Sequence, residues 1–468
     1  MRSSLAIVPV DPRMLEESIL RDLFRGLHEA NVNFAVLRNH ETLPRSVGAR
    51  DLDLVVEPRA LRAAVSVVKA IADAENMRFA NFFKDERLTQ FTLYKRLGSS
   101  ALFEIKIDFF TSSQVYGIEV LSASEMLEET WDHKGIPVVS DTIKLLDKWI
   151  FHLLVGKPLH PKYAENFGSI AAEKPRKSAI FSKLQLLFGR SVAEDLIAGL
   201  VSGQADVLVP LKRRVRVRAL MRLWFAQGLS ALGRTFEFVV FRVRDRIQPA
   251  GTFLSISGPD GCGKTTVIDI LKAQLESVFG ERSVHYRHFR PATLPRIASI
   301  AKSAKAIDDI DEDYQNPHRA KPSGLFGSLA RAAYYWFDYQ LGYFSETLGR
   351  LMRREVVMFD RYIFDMVADP GRSRIALPDR VLRNLARLTI RPRFAFYIRV
   401  PAKVVRERKQ ELPLETIQDL NLRYQDLANR DLLAAVDNLV DAETAAATIL
   451  DTIVAERDQD ARRKIAEF

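Results

Sequence analysis

The most chemically informative stretch of the sequence is a glycine-rich loop followed by a lysine and a threonine. Residues 258–265 read G-P-D-G-C-G-K-T and satisfy the phosphate-binding pattern G-x-x-x-x-G-K-[ST]. Glycines let the backbone approach phosphate closely, and the free N–H groups at a helix start favour an anion. We expect Lys264 to reach the β- and γ-phosphates of a nucleoside triphosphate and Thr265 to ligate Mg²⁺. The residues expected to contact ATP are Gly258, Pro259, Asp260, Gly261, Cys262, Gly263, Lys264, Thr265 and Thr266.

The segments on either side of this loop predict the elements that hold it. The apolar run 253–256 predicts a short buried strand, and the apolar residues after Thr266 recur at helical spacing. The loop is therefore expected to join a strand to a helix. We expect Lys264 to be solvated in this loop. Cys262, the only cysteine, lies among N–H groups that favour a thiolate, so we expect its thiol to be reactive.

A second group of ionisable residues follows a predicted buried strand at 355–362, which ends in Asp360-Arg361-Tyr362. The carboxyl ends of parallel strands line the ligand crevice, so we expect Asp360 to place Mg²⁺ and Arg361 to bind an acceptor anion. A cation-rich helix or lid at 404–411 adds Arg406 and Arg408, which would stabilise charge in the transition state. The expected catalytic residues are Lys264, Asp360, Arg361, Arg406 and Arg408.

Several arginines could recognise an acceptor, since their planar forks suit phosphate or carboxylate. The expected acceptor-binding residues are Asp260, Arg290, Arg361, Arg372 and Arg374. In the alternative interpretation, Arg372 and Arg374 lie in a solvated loop and contact nothing.

Three aspartates in the N-terminal part of the chain form another candidate site. Strand side chains alternate between faces, so Asp51 and Asp53 in the predicted strand 51–56 point the same way. The predicted strand 103–109 adds Asp108. Three carboxylates from two strands can hold divalent metals, so we predict these three aspartates as metal ligands. In the C-terminal half, the predicted metal ligands are Thr265 and Asp360.

Composition limits the classes of protein that remain. A chain of 468 residues is too long for one compact core, and two or three domains are expected. The single cysteine excludes an intramolecular disulfide and favours a cytoplasmic location. The first residues do not resemble a secretory signal, and we expect no membrane-spanning segment. The formal charge of +10 favours anionic partners, although we identify no nucleic-acid motif.

Between the two candidate sites, residues 141–202 predict helices with a broad apolar stripe. Residues 211–247 differ because arginines interleave with aromatic and aliphatic side chains. Such a helix pair can lie on an anionic membrane surface, which would place the protein peripherally at the inner face of the membrane. Alternatively, the pair is a linker that packs between domains with a solvated basic face.

With these motifs assembled, residues from 251 to about 453 resemble thymidylate kinase and its nucleoside-monophosphate-kinase relatives. The resemblance rests on Gly258–Thr266, Asp360-Arg361-Tyr362 and the basic lid at Arg406 and Arg408. It implies ATP and Mg²⁺ as cofactors, an aspartate-arginine pair beside the metal and the acceptor phosphate, and Asp260 near the acceptor sugar. The stretch 363–374 departs from the family at the residues that would hold a thymine base, so the acceptor is expected to differ.

The segment 32–110 resembles nucleotidyltransferases of the DNA polymerase β type through Asp51, Asp53 and Asp108. The Gly-Ser that precedes the first carboxylate in that family is replaced here by Gly48-Ala49-Arg50. Two interpretations therefore stay open. The domain is either an active transferase or a transferase-shaped module that binds ligand or only packs. The whole chain resembles a two-part group found among bacterial surface-polysaccharide genes. The hallmarks of that group are Gly258–Gly261, Asp360–Tyr362 followed by Asp369-Pro370, and Arg408–Leu412.

The expected fold class is α/β, with a nucleoside-monophosphate-kinase-like parallel sheet in the C-terminal part and a mixed α+β nucleotidyltransferase-like N-terminal domain. The expected domains are 1–140, a helical region with a basic amphipathic linker at 141–248, and 249–468. The expected function is an ATP- and Mg²⁺-dependent kinase acting on an anionic small-molecule or glycan acceptor. Two alternatives are a nucleotidyltransferase regulated by its kinase-like domain and a nucleotide-switched assembly protein.

Overall fold

The computed structural model describes residues 11–48, 51–98, 101–160, 162–204, 209–291, 293–294, 324–410 and 412–468. Its contacts divide the chain into two compact units. Unit 1 comprises Met1–Leu97, Phe103–Arg244 and Arg457–Phe468, and unit 2 comprises Gly98–Leu102 and Asp245–Glu456. The helices that follow residue 140 thus group with the N-terminal sheet up to residue 244. The three-part division proposed from the sequence stays a prediction.

Unit 1 is built on a mixed sheet with strand order β3-β4-β5-β2-β1-β9-β8. Its strands are β1 (Phe34–Val36), β2 (Leu52–Val56), β3 (Arg78–Lys84), β4 (Leu88–Arg96), β5 (Leu102–Phe110), β8 (Thr130–His133) and β9 (Ile136–Val139), and β6 (Ser112–Val115) pairs with β7 (Ile118–Ser122) in a separate ribbon. Strands β2 and β5 run parallel, whereas β1 and β2 run antiparallel. The strands predicted at 51–56 and 103–109 are therefore confirmed.

The helices of unit 1 cover the sheet and extend beyond it. They are α1 (Pro12–Glu29), α2 (Leu61–Ala74), α3 (Ala123–Glu128), α4 (Asp141–Val155), α5 (Lys162–Ala172), α6 (Lys174–Phe188), α7 (Arg190–Val201), α8 (Arg213–Gln227) and α9 (Leu229–Ile247). Helix α1 begins at an Asp11 cap with proline in its first turn, and it buries its apolar stripe against the sheet core. A separate core joins α4 to the helices that follow it, with Trp149 fully buried at its centre.

Residues 457–468 complete unit 1. Arg457 Nε donates to the carbonyl of Ala80 at 2.6 Å, and Asp458 accepts from the backbone N–H of Phe79 at 2.9 Å. Arg462 adds an ion pair with Asp73 at 2.5 Å. These contacts tie the segment to strand β3 and to helix α2, although it is separated from both by more than 370 residues of sequence.

Unit 2 contains a fully parallel five-stranded sheet with order β11-β12-β10-β13-β14. Its elements are β10 (Thr252–Ser257), α10 (Lys264–Phe279), β11 (Val284–His288), α11 (Leu325–Gly342), α12 (Leu348–Met352), β12 (Val356–Asp360), α13 (Ile363–Ala368), α14 (Asp379–Leu388), β13 (Phe394–Arg399), α15 (Ala402–Arg408), α16 (Leu414–Asn429), β14 (Ala434–Asp437) and α17 (Ala442–Ala466), whose residues from Arg457 onward belong to unit 1. The expected α/β class with a parallel sheet is confirmed. Among the described residues, no helix is both long and apolar enough to cross a membrane.

Candidate active site

The phosphate-binding loop connects β10 to α10, as the sequence predicts. Its three glycines have positive φ angles, 153° at Gly258, 89° at Gly261 and 82° at Gly263. A Cβ atom on Gly263 would lie 2.7 Å from Asn438 Nδ2, and one on Gly261 would lie 3.0 Å from Lys409 Cβ. Glycine is needed at these positions for conformation and for space. Asn438 also donates to the carbonyl of Cys262 at 2.9 Å, which fixes the loop to the strand-β14 end of the sheet.

Lys264, at the start of α10, is paired with Asp360 at the carboxyl end of β12. Lys264 Nζ lies 2.7 Å from Asp360 Oδ1, and the two side chains are 9% and 5% exposed. The prediction of a solvated lysine is wrong, because strand β12 pairs with β10 and its terminal carboxylate reaches the loop. The structure thus brings together two of the predicted catalytic residues. Thr265 is exposed beside them.

Strand β11 orients the other oxygen of Asp360. Tyr286 donates its hydroxyl to Asp360 Oδ2 at 3.1 Å, and His288 Nδ1 lies 2.9 Å from the same atom. Burial raises the pKa of Asp360, but the hydrogen bond with His288 and the charge of Lys264 outweigh burial and hold that pKa well below its usual range. Burial and the nearby carboxylate raise the pKa of Tyr286 to about 12. The carboxylate is therefore ionised and oriented at neutral pH.

Arg361 is one of the largest fully buried side chains among the described residues, with 2% of its surface exposed. Its φ angle is 73°, in the left-handed region that non-glycine residues seldom adopt. Its guanidinium donates to Asp365 Oδ1 at 2.8 Å and to Asp260 Oδ1 at 2.5 Å. A conformation that is unfavourable in isolation is thus held by two charge-assisted hydrogen bonds.

The sequence analysis missed Asp365, which is 1% exposed and organises this part of the site. Besides Arg361, its carboxylate accepts hydrogen bonds from the hydroxyls of Ser257 and Tyr424, each at 2.6 Å, and from the backbone N–H of Tyr362 at 3.1 Å. One feature of the sequence could have identified Asp365. It is the third residue of the helix that follows Asp360-Arg361-Tyr362, where an acidic side chain can cap the helix start.

Asp260, inside the loop, receives two arginines. Arg372 Nη1 donates to Asp260 Oδ2 at 2.6 Å, opposite the bond from Arg361. Although burial raises the pKa of Asp260, the charges of Arg361 and Arg372 lower it to about 2. The alternative in which Arg372 contacts nothing is therefore wrong. Arg374 has a φ angle of 55° at the end of the same turn.

Arg290 follows strand β11, two residues after His288. Its guanidinium donates to Asp338 at 3.0 Å and to the hydroxyl of Tyr334 at 2.8 Å, both on α11. Asp338 is fully buried. Arg290 therefore anchors the end of β11 to that helix, and its expected role in acceptor binding stays a prediction.

The basic helix α15 approaches the loop. Arg408 is exposed, and its Nη1 lies 3.4 Å from the position of a Cβ on Gly263. Arg406 instead donates to the carbonyl of Leu412 at 2.5 Å. Arg408 therefore lies at the phosphate-binding loop, whereas Arg406 stabilises the segment that follows α15.

Cys262 corrects another expectation. It is fully buried, and burial raises the pKa of its thiol above the ordinary value despite the nearby charge of Lys264. The prediction of a reactive thiolate is wrong, because the side chain is buried in the protein and the backbone N–H of Cys262 donates to the carbonyl of Pro259 at 3.3 Å.

The N-terminal aspartates occupy adjacent strands of unit 1. Asp53 and Asp108 are direct neighbours in the parallel register of β2 and β5. Asp53 accepts from Arg38 Nε at 2.8 Å, and Asp108 accepts from Gln90 Nε2 at 2.9 Å. Asp51 lies 3.6 Å from Lys106. Within the described ranges, no group of three or more His, Cys, Asp or Glu residues has a geometry that could hold a metal ion. The metal site here stays a prediction.

Comparison with known proteins gives similarities for part of the chain. No family model matches it. The thymidylate kinase of Lacticaseibacillus casei (strain BL23) is 29% identical over 196 residues, which cover 41% of this chain and 80% of that protein. The thymidylate kinase of Levilactobacillus brevis is 29% identical over 164 residues, covering 34% and 69%. These similarities support a thymidylate-kinase-like P-loop domain and, at the level of family, a nucleotide phosphotransferase.

A solved structure, the thymidylate kinase of Ehrlichia chaffeensis, aligns with 44% of this chain and 99% of its own length. The sequence identity is 16% and the TM-score is 0.29.

Proposed function

We propose that this protein is an ATP- and Mg²⁺-dependent phosphotransferase of the thymidylate-kinase-like class that acts on an anionic acceptor. The observation that carries the proposal is the 2.7 Å pair between Lys264 and Asp360 at the mouth of a glycine loop. Phosphoryl transfer asks the protein mainly for positioning and for charge stabilisation, and this pair places one cation and one oriented carboxylate where the phosphates of ATP would lie.

The residues present fit ATP and Mg²⁺. The loop glycines leave a backbone cradle that a side chain would fill, and Lys264 stands at its helix end. Thr265 and Asp360 are the oxygen donors that would hold Mg²⁺, directly or through water. When bound there, Mg²⁺ would supply charge neutralisation at the phosphates. Arg408 would add a second cation to the transferring group, and Lys264 would exchange Asp360 for phosphate oxygens.

The two arginines on Asp260 support an anionic acceptor. Arg361 is 2% exposed and fixed by Asp365, whereas Arg372 retains 22% exposure of its side chain. An acceptor carrying phosphate or carboxylate can replace Asp260 as the partner of Arg372 without leaving a buried charge unpaired. We infer a sugar phosphate or an acidic glycan end as the acceptor, with a nucleoside monophosphate as the alternative that the relatives' names suggest.

Acceptor-dependent formation of ADP tests the proposal. The purified chain is incubated with Mg²⁺ and γ-labelled ATP, together with thymidine monophosphate, sugar phosphates or acidic oligosaccharides. We expect label on an anionic saccharide. Lys264→Ala should reduce turnover by about 10²- to 10³-fold, whereas Lys272→Ala, two turns along the same helix, should not. Wild-type turnover by Lys264→Ala would refute the kinase assignment, and efficient turnover of thymidine monophosphate alone would refute the saccharide acceptor.

Arg372→Ala separates acceptor recognition from ATP binding. We expect the KM for the acceptor to rise at least about tenfold while the KM for ATP changes little, because the lost cation faces the acceptor side of Asp260. Equal increases in both constants would remove Arg372 from acceptor recognition.

Two other functions are distinguished by their products. A nucleotidyltransferase is favoured by the adjacent Asp53 and Asp108, and it would release pyrophosphate from a nucleoside triphosphate. A nucleotide-switched assembly protein would hydrolyse ATP slowly and label no acceptor. Analysis of the labelled products assigns the chain to one of the three classes.

A further inference from the structure

Helices α8 and α9 form a hairpin with one packed face. Ala219 and Leu223 of α8 are buried in the core that joins α4 to the helices that follow it. Arg216 donates to the carbonyl of Val155 at 2.8 Å, and Gln227 donates to that of Glu119 at 2.7 Å. The two helices are joined by a hydrogen bond from Trp224 Nε1 to Thr235 Oγ1 at 3.2 Å. Their orientation on unit 1 is therefore fixed by buried contacts.

The opposite face of the hairpin exposes large apolar side chains. On α8 they recur every four residues, and on α9 every three or four, so each helix presents one continuous stripe. The apolar side chains are Val217, Met221, Phe225, Leu229, Leu232, Phe236, Val239, Val240 and Val243, with exposures from 40% at Val217 to 85% at Leu229. Single exposed apolar residues are ordinary, but a stripe of this length indicates an interaction surface.

Cations border the same stripe. Residues 212–244 contain nine basic residues and one acidic residue, Glu237. Two of the basic residues, Arg216 and Arg234, are engaged with protein groups. The exposed ones are Lys212, Arg213, Arg214, Arg218, Arg222, Arg242 and Arg244. On α8 the exposed arginines alternate with the apolar residues of the stripe, so charge and apolar surface occupy the same side of the helix.

We infer that this basic-apolar face, formed by the exposed residues of 212–244, docks on an anionic lipid surface. Cations attract the acidic headgroups, and the apolar stripe enters the boundary between headgroups and acyl chains. Duplex nucleic acid would complement the charge but would leave Phe225, Leu229 and Phe236 against phosphates and water. An apolar protein partner would leave the arginines unpaired. The lipid surface is the occupant that satisfies both components. This inference is independent of the phosphotransferase activity.

Co-sedimentation of the full chain with vesicles tests the inference. One set of vesicles contains phosphatidylcholine alone, and the other contains phosphatidylcholine with phosphatidylglycerol. We expect binding to the anionic set only, weakened when NaCl is raised from about 0.1 M to about 1 M because the Debye length shortens to about 3 Å. The triple variant Arg213→Gln, Arg214→Gln, Arg218→Gln should lose on the order of 100-fold in affinity, at about fivefold per cation.

The apolar component is tested separately by Phe225→Ser with Phe236→Ser, whose side chains are 73% and 70% exposed. We expect at least about a tenfold loss of vesicle affinity, with an unchanged unfolding midpoint and unchanged ATP turnover. The matched control is Leu422→Ser, at a site that is 70% exposed on α16, which should bind like wild type.

Three results would overturn the inference. Equal sedimentation with neutral and anionic vesicles would remove the electrostatic argument. Binding to duplex DNA but not to vesicles, abolished by the triple variant, would assign the face to nucleic acid. Self-association in the absence of lipid, abolished by the phenylalanine substitutions, would assign it to a second copy of the chain. If a variant fails to fold, the salt dependence of wild-type binding to anionic vesicles still tests the inference, because that measurement needs no variant.

Discussion

The buried carboxylate of Asp365 offers the sharpest test of how the site is built. Asp365→Asn keeps the size of the side chain and removes its charge. In the native structure this carboxylate accepts four hydrogen bonds, from Ser257, Arg361, Tyr362 and Tyr424. An amide has one acceptor oxygen, and its NH₂ group would face donors that the carboxylate now satisfies.

The expected cost follows from the burial of the pair. Arg361 and Asp365 are 2% and 1% exposed, so water cannot replace the lost charge. Removing one partner of a buried ion pair costs about 3–5 kcal/mol, since the other charge is left uncompensated. Arg361 retains Asp260, which keeps the estimate near the lower end, about 3 kcal/mol. The positive φ angle of Arg361 adds strain that its weakened contacts no longer offset.

The free energy of unfolding is measured by urea denaturation, monitored by circular dichroism. If the slope m is the same for the variant and the wild type, the change in midpoint reports the change in the free energy of unfolding. Asp426→Asn is the control, because its pair with Arg430 is exposed and its loss should leave the unfolding midpoint almost unchanged. The double variant Arg361→Met, Asp365→Leu should be more stable than the sum of the single changes predicts. A loss below about 0.5 kcal/mol for Asp365→Asn would refute the reasoning.

The remaining predictions concern thiol reactivity, the N-terminal aspartates and pH. Iodoacetamide should modify buried Cys262 on the order of 100-fold more slowly in native protein than in urea, and rapid native labelling would contradict the burial. Asp51→Asn with Asp53→Asn should abolish any pyrophosphate release while ADP formation persists, and parallel loss of both would indicate one composite site. Burial raises the pKa of Glu104 from 4.5 to about 7. The stability that the protonated, uncharged Glu104 contributes is therefore fully present below pH 4.5 and is lost as the pH rises through 7, where the buried carboxylate ionises. Glu104→Gln should therefore raise the free energy of unfolding by about 2 kcal/mol at pH 8 and leave it unchanged at pH 4, and equal effects at both would refute the assignment.

Local patterns in the sequence predict much of unit 2. The loop 258–265, the strand before it and the helix after it follow from glycine placement and apolar spacing, and all are present. The strand ending at Asp360 was also predicted, because a buried apolar run followed by a charged pair is typical of the carboxyl end of a parallel strand. These features depend on residues close together in the chain.

The features that were missed depend on distant side chains. The burial of Lys264 requires Asp360, 96 positions later, and the placement of Arg372 requires Asp260. The first results from the pairing of β10 with the non-consecutive strand β12, and the second from the turn at Pro370–Ser373, and apolar periodicity encodes neither. Cys262 was mispredicted for a related reason, since its exposure is set by which way the loop turns its side chain rather than by the motif. Asp365 was overlooked because its partners come from three separate segments of unit 2, at Ser257, at Arg361 and Tyr362, and at Tyr424.

The discontinuity of unit 1 affects how the chain matures on the ribosome. Residues 457–468 bind β3 and α2, yet they are translated after all of unit 2. Domains generally fold as they emerge, N-terminal first, and here unit 1 lacks residues 457–468 until unit 2 has been translated. A nonsense codon after residue 456 therefore damages the unit encoded first and leaves the sequence of unit 2 complete. Until then, the backbone N–H of Phe79 and the carbonyl of Ala80 in nascent unit 1 lack the partners that Asp458 and Arg457 supply.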